Sequence, residues 1–377
     1  MNGPMNARVP GPDGATEPKG APEMTAPRPW ARPKGWGGVG AMATACALAL
    51  VFALLLTCAG SLNSDSAATG TPVSHTEQAQ AQAQTQTRAE EDCTAPEKQT
   101  LSPSRADGPT IEAIKNRQGE KRKLIVGVDQ NSYRWGYRDP NSGEGGALEG
   151  FDIDLVHRIA EDILGDRDAV QFKAIPTDQR IPAIKSGRVD MVVRTMTINC
   201  DRLRDVAFSA PYFRTGQQVL APKSSPVEGY DETLADQEVC TAAGSTAHST
   251  LEADRKAGRL PESTDLRTTV PNQLDCLVRL QLGEVDAVVT DGALAASQAA
   301  QDPAVELKGE AFTAEYYGVA MKKDADDLVR RVNQILVDFR EDTSDGWESS
   351  YADWLSATLG EDPSASKPPA PEYRRTN

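Results

Sequence analysis

Short apolar runs that stop abruptly in polar clusters recur along the chain from Lys123 onward. Residues 123–129, 170–175 and 189–196 read as buried strands. Between the first two, Val156, Ile159, Ala160 and Ile163 fall on one helical face. Between the next two, Thr177 is placed to cap a helix that Arg180 begins and Gly187 closes. This alternation of strand and helix predicts a largely parallel sheet with helices on both faces. A second set follows, with strands at 217–221, 238–241, 266–270 and 285–290 and helices at 246–257 and after Asn272. Residues 316–321 read as a strand returning to the first set, and 326–340 and 347–359 as two closing helices.

The central strand of the first set carries the densest chemistry. Met191-Val192-Val193 is apolar, and Arg194-Thr195-Met196-Thr197-Ile198-Asn199-Cys200-Asp201-Arg202 follows it. A buried strand that ends in this way delivers its polar groups to a crevice at its carboxyl end. The pattern Gly-x-Val-Asp-x-Val-Val occurs at Gly187 and again at Gly283. One copy ends near arginines and the other in Asp291, a complementary pair for a small zwitterion held between two similar lobes. Residues 121–215 with 316–359 are expected to form lobe 1, and 216–315 lobe 2. The two crossings, near 215–222 and 310–318, would make a hinge able to bend around a ligand.

Composition narrows the function. With 377 residues the chain can hold one large two-lobed unit. Its 40 Lys and Arg against 55 Asp and Glu give a net charge of −15, with only 5% aromatics and no basic stripe, which argues against nucleic acid as a partner. The bulk field also repels anions, so any anion selectivity must come from arginines within a cleft. Residues 1–36 are rich in Pro, Gly and Ala, and disorder is expected there. Residues 37–62 carry no charge and are long enough to span a bilayer. Arg28, Arg32 and Lys34 precede them and orient that end to the cytoplasm. Residues 63–120, with the repetitive "EQAQAQAQTQT", read as a flexible linker, and 360–377 as a loose tail.

The stretches "MTINCDR", "DVAFSAPY" and "GEVDAVVTD" resemble signatures of extracellular solute-binding proteins of family 3, the polar amino-acid binders of ABC importers. The similarity runs from 121 to 359 and is nearest to the actinobacterial glutamate/glutamine-binding lipoproteins. It implies an α/β fold of the type 2 periplasmic-binding-protein kind. That means two lobes with parallel-type sheets flanked by helices, a two-strand hinge and no cofactor.

The resemblance assigns roles residue by residue. Arg202 would hold the ligand α-carboxylate through its forked guanidinium, with Thr197 and Thr195 as further partners. Asp291 would take the α-ammonium, with capping of the next helix as its competing role; Asp129 is a second candidate for the ammonium. Gly244-Ser245-Thr246 resembles the family's Gly-Thr-Thr turn, where free N–H groups at a helix start suit a carboxylate; plain capping by Ser245 is the alternative. Ala242 and Ala243 stand where some members carry Lys or Arg. Arg180 matches a position where acidic-amino-acid binders place a side-chain Arg, and Arg194 lies at the mouth of the central strand. If both face the cleft, the ligand side chain is acidic or amide; a solvated or salt-bridged role is the alternative for each. Tyr133 and Trp135 lie where relatives place an aromatic lid, or else simply pack.

Leu55-Leu56-Thr57-Cys58 resembles a lipobox with Cys58 as the lipidated residue, although Thr57 departs from the usual small residue. The competing reading is an uncleaved signal anchor. Both tether the protein at the extracellular face of the membrane. Cys46 shares the apolar run, which leaves Cys93, Cys200, Cys240 and Cys276 outside. Four such cysteines allow three connectivities; the pairing expected is Cys240 with Cys276 and Cys93 with Cys200. No C-x-x-C occurs, and His75, His157 and His248 are scattered, so no metal site is expected. The function implied is delivery of a polar amino acid to an ABC permease. Alternatives are a sensor subunit feeding a membrane signalling complex and a dehydratase-type enzyme. No nucleophile–His–acid set supports the enzyme.

Overall fold

The computed structural model describes residues 93–119, 123–139, 146–361 and 367–374. Cys58 and the segment 37–62 lie outside the described residues. Among those described, no helix is long and apolar enough to cross a membrane.

Two five-stranded sheets carry the chain. The first runs Val170–Ala174, Leu124–Val128, Met191–Val192, Ala320–Lys322, Val206–Phe208. Its first three strands are parallel, and Ala320–Lys322 is antiparallel to both neighbours. The second runs Thr269–Val270, Val239–Ala242, Ala287–Asp291, Gln217–Pro222, Val305–Lys308, again parallel on one half and antiparallel on the other. The expected parallel sheets are therefore mixed. In each lobe the antiparallel half is built on the strand that has just crossed between lobes.

Alternate residues of these strands fill opposite faces. Val126, Met191 and Met321 join one core, while Val192 and Ala320 join another on the other side of the same sheet. Val219 and Val289 likewise oppose Leu220 and Val288 in the second lobe. Covering both faces explains why the strands read as continuous apolar runs rather than alternating ones.

Lobe 1 and lobe 2 are joined by Phe213–Thr215 and Glu315–Tyr317, which pair antiparallel as a two-strand hinge. The return strand expected at 316–321 is thus two strands. At Gly318 an added Cβ would lie 2.8 Å from the Ile198 side chain, which would have to shift to admit it. The central strand is also shorter than 189–196. Val193 still donates to Gly127 O at 3.0 Å, but Thr195 adopts a φ of 41° and turns the chain out of the sheet.

Two further segments differ from expectation. Part of the anticipated linker, from Cys93 to Gly119, packs on lobe 1. The helix Pro109–Lys115 buries Ile111 and Ile114 in its core, and Thr100 donates to Phe208 O at 2.7 Å. Seven residues are too few to show a helical period, which hid this element. From the tail, Tyr373 forms a parallel bridge with Thr100. The closing helix breaks at Leu355 into Trp347–Trp354 and Ser356–Leu359, with Trp347 and Tyr351 in the core. Disulfides join Cys93 to Cys200 and Cys240 to Cys276, the expected pairing.

Candidate functional site

The carboxyl ends of the lobe 1 strands converge on a buried seam against lobe 2. Three arginines from lobe 1 lie in it: Arg194 is 0% exposed, Arg180 3% and Arg202 7%. They play different parts.

Arg194 is an internal counter-ion. Its Nη2 lies 2.7 Å from Asp129 Oδ2 and 3.1 Å from Asn272 Oδ1, and its Nη1 donates to Thr177 Oγ1 at 2.9 Å. The remaining capacity of Asp129 is also taken. Its Oδ1 accepts from the backbone N–H of Gln130 and Asn131, and its Oδ2 from Ser132. Neither residue is therefore free for the role anticipated for it, Arg194 on a ligand side chain and Asp129 on an ammonium. Thr177 does not cap the following helix; its hydroxyl serves Arg194 and Gln273 instead.

Arg202 and Arg180 differ in that all their partners are carbonyl oxygens. Arg202 sits in the helix Cys200–Asp205, whose first turn is capped by Asn199 accepting from Arg202 N at 2.9 Å. Its Nη1 donates to Thr197 O at 2.7 Å and its Nη2 to Gly244 O at 3.2 Å. Arg180 donates to Thr177 O at 2.8 Å, and to Arg194 O and Gly244 O at 3.4 Å each. Burial pushes both guanidinium groups below their ordinary range. Arg180 is pushed furthest, because Arg202 and Arg194 repel it as well. A guanidinium keeps its proton regardless. The shift therefore records positive charge that the chain itself compensates poorly.

Negative charge stands opposite. Asp291 ends the strand Ala287–Asp291 and is 7% exposed. Its carboxylate makes no cap for the helix Gly292–Ala299; Oδ2 accepts from the Tyr317 hydroxyl at 2.7 Å. The capping role is thus excluded. Burial, and next the neighbouring Glu315, push Asp291 up to about 7, while Tyr317, Arg202 and Arg180 pull it down.

The backbone between the two poles is fixed by a residue not anticipated from sequence. Asp152, at the start of the helix Phe151–Leu164, accepts from Thr195 N at 3.0 Å and from the Tyr212 hydroxyl at 2.8 Å. It holds Thr195 in its left-handed conformation, which a threonine adopts only under constraint. Burial pushes Asp152 up to about 7. Thr197 is buried, and beyond its carbonyl it forms an antiparallel bridge with Tyr317. The run Phe151-Asp152-Ile153-Asp154 shows in sequence only the start of a helix, and it is the tertiary fold that brings Asp152 to Thr195 and Tyr212.

The remaining anticipated residues lie at the margin. Ser245 Oγ accepts from His248 N at 3.1 Å and so caps the helix Thr246–Lys256, which Thr246 opens. It is the preceding residue, Gly244, that meets the arginines. Trp135 is core, edge-on to Phe151, Phe213 and Tyr317. Tyr133 packs on Tyr137 and lines a groove of about 620 Å³ together with Asn131, Leu274 and Gln301, a lining that includes none of the three buried arginines. No group of three or more His, Cys, Asp or Glu suited to a metal ion occurs among the described residues.

Two α/β lobes on a two-strand hinge, with a cationic pole from one and an anionic pole from the other in a buried seam, define a two-lobed binding protein for a small polar solute. The chain belongs to the bacterial extracellular solute-binding proteins, family 3, whose profile matches residues 124–357. It is accordingly a binding protein and not an enzyme. It is 33% identical over 246 residues to the ABC transporter glutamine-binding protein GlnH of Bacillus subtilis, covering 65% of this chain and 84% of that one. It is 28% identical over 257 residues to the glutamate-binding protein GluB of Corynebacterium efficiens, covering 64% and 81%. Among solved structures it is similar to a solute receptor for L-cysteine of Neisseria gonorrhoeae. The TM-score is 0.60 at 27% identity, over 69% of this chain and 99% of that one. The fold is that of the type 2 periplasmic binding proteins.

Proposed function

We propose that this chain binds a polar amino acid with an acidic or amide side chain outside the cytoplasm and delivers it to an ABC importer. It would be held at the membrane by a lipid on Cys58 or by an uncleaved apolar segment. The observation that carries the reading is the asymmetry of the buried charges. Arg202 has only carbonyl partners, and Asp291 from the other lobe has only a hydroxyl. A zwitterion supplies both missing counter-charges at once: its carboxylate pairs with Arg202 in a bidentate fashion and its ammonium with Asp291.

The side chain is assigned by what is left. With Arg194 neutralised by Asp129, Arg180 is the remaining guanidinium without a carboxylate partner, and it suits an oxygen-bearing side chain. Relatives named for glutamine and for glutamate support the same pair of ligands. Calorimetric titration of the protein with the common amino acids tests this. Glutamate, aspartate, glutamine or asparagine should bind best. Preference for a basic or branched apolar amino acid would refute the side-chain assignment, and no binding to any would refute the function.

A further inference from the structure

Two buried oxygens near Asp291 have no partner in the protein. They are Glu315 Oε2 and Gln217 Oε1, on residues 5% and 0% exposed. Burying an acceptor without a donor is costly, and native proteins rarely leave it so. The other buried aspartates of the site obey this rule. Both oxygens of Asp152 accept hydrogen bonds, and so do both of Asp129. Glu315 is different. Its Oε1 accepts from Gln217 Nε2 at 2.9 Å and from Thr313 Oγ1 at 3.1 Å, which fixes the carboxylate and leaves Oε2 over.

Position ties these oxygens to the site. Gln217 lies directly opposite Asp291 in the antiparallel register of their strands. Glu315 is on the hinge strand, two residues before Tyr317, whose hydroxyl holds Asp291. Glu315 is also the largest like charge acting on Asp291 and the largest opposite charge acting on Arg202.

We propose that Glu315 and Gln217 contact the ligand, forming with Asp291 a three-acceptor cage for the α-ammonium. The proposal rests on the reading above that the ligand is an amino acid. An ammonium has three N–H donors, and a single carboxylate oxygen leaves two of them unpaired in a buried seam. Asp291 with one oxygen in use, Glu315 Oε2 and Gln217 Oε1 supply three acceptors. Two carboxylates around one cation also discriminate against solutes that carry a hydroxyl in place of the ammonium.

Glu315→Gln tests this while keeping the volume of the side chain. The full protein and the variant are titrated with L-glutamine and L-glutamate, and with their desamino counterparts 4-carbamoylbutanoate and glutarate. The variant should bind the amino acids roughly tenfold or more weakly, a loss of about 1.4 kcal/mol or more. Its affinity for the desamino compounds should be unchanged or improved. Thermal unfolding is a second readout that needs no analogue. The ligand-induced rise in Tm should shrink in the variant. Equal losses for both compound classes, a parent-like ligand-induced rise in Tm, or parent-like amino-acid affinity would overturn the proposal. If the parent itself binds neither amino acid, the underlying reading fails and the cage falls with it.

Discussion

Arg202 and Arg180 donate to one and the same oxygen, the carbonyl of Gly244. Two buried cations sharing a single neutral acceptor is an unfavourable arrangement for a chain on its own. It makes sense as one pole of a site whose other pole is Asp291. Because Gly244 belongs to lobe 2 and both arginines to lobe 1, the shared bond also fastens the lobes together. Thr177 N to Pro271 O at 3.0 Å and Arg194 to Asn272 extend the fastening.

Gly244 should therefore tolerate no side chain. It adopts a φ of +74°, and an added Cβ would lie 2.9 Å from Asp178 Cα across the seam. Gly244→Ala should destabilise the closed form by about 1–2 kcal/mol, since a left-handed alanine is strained and the lobes must part. Ligand affinity should drop roughly five- to thirtyfold. Small-angle scattering with ligand present should show a more extended variant. Unaltered affinity would mean that the lobes do not close on this carbonyl.

Asp129→Asn should behave as a folding mutation. It leaves the guanidinium of Arg194 fully buried without its carboxylate, a loss typically of about 3–5 kcal/mol. Urea denaturation of the ligand-free protein measures it directly. A change under about 1 kcal/mol would show that Arg194 does not depend on Asp129 and would restore it as a ligand contact.

Binding should weaken in acid. Asp291 stands at about 7 in the folded chain against an ordinary 3.8, so the ligand-free protein holds a proton there that the unfolded chain has lost. That proton's contribution to stability is fully present below the ordinary value and is lost progressively as pH rises through the window up to about 7. Ligand binding has the opposite sign, because an ammonium pairs with the ionised carboxylate. Of the groups facing it, Tyr317, Arg202 and Arg180 carry fixed charge or none near neutrality, and Glu315 is the like charge that raises it. Titrations from pH 8 to 5.5 should show Kd rising below pH 7, by up to about tenfold per unit. A flat profile would contradict the assignment of Asp291.

Much of this was legible in the chain, and what was not had physical causes. The buried runs gave the strands, and the polar ends of two of them gave Arg202 and Asp291. Arg194 stood open between a ligand contact and an ion pair because its partner is distant in sequence. Yet Val126 pairs with Met191 and Gly127 with Val192 in parallel register, and continuing that register brings Asp129 opposite Arg194. A correct pairing of two strands would thus have identified the ion pair. Glu315 and Gln217 gave no comparable signal. Each is a single polar residue at the start of a strand, and only the fold brings them near Asp291. Ser245 and Thr246 pointed to the right turn, but its working atom is a backbone carbonyl, which sequence does not display.

The central claim is that Arg202 pairs with the ligand carboxylate, and one titration tests it most directly. Folded Arg202→Ala protein, checked by its unfolding curve against the parent, is titrated with the preferred amino acid. Truncating one partner of a buried charge pair costs typically about 2–5 kcal/mol, so affinity should fall roughly thirty- to several-thousandfold. Arg202→Lys should recover only part, since an ammonium cannot reproduce the guanidinium fork. Near-normal affinity in a folded Arg202→Ala protein would contradict the account, because the ligand carboxylate would then have to lie elsewhere.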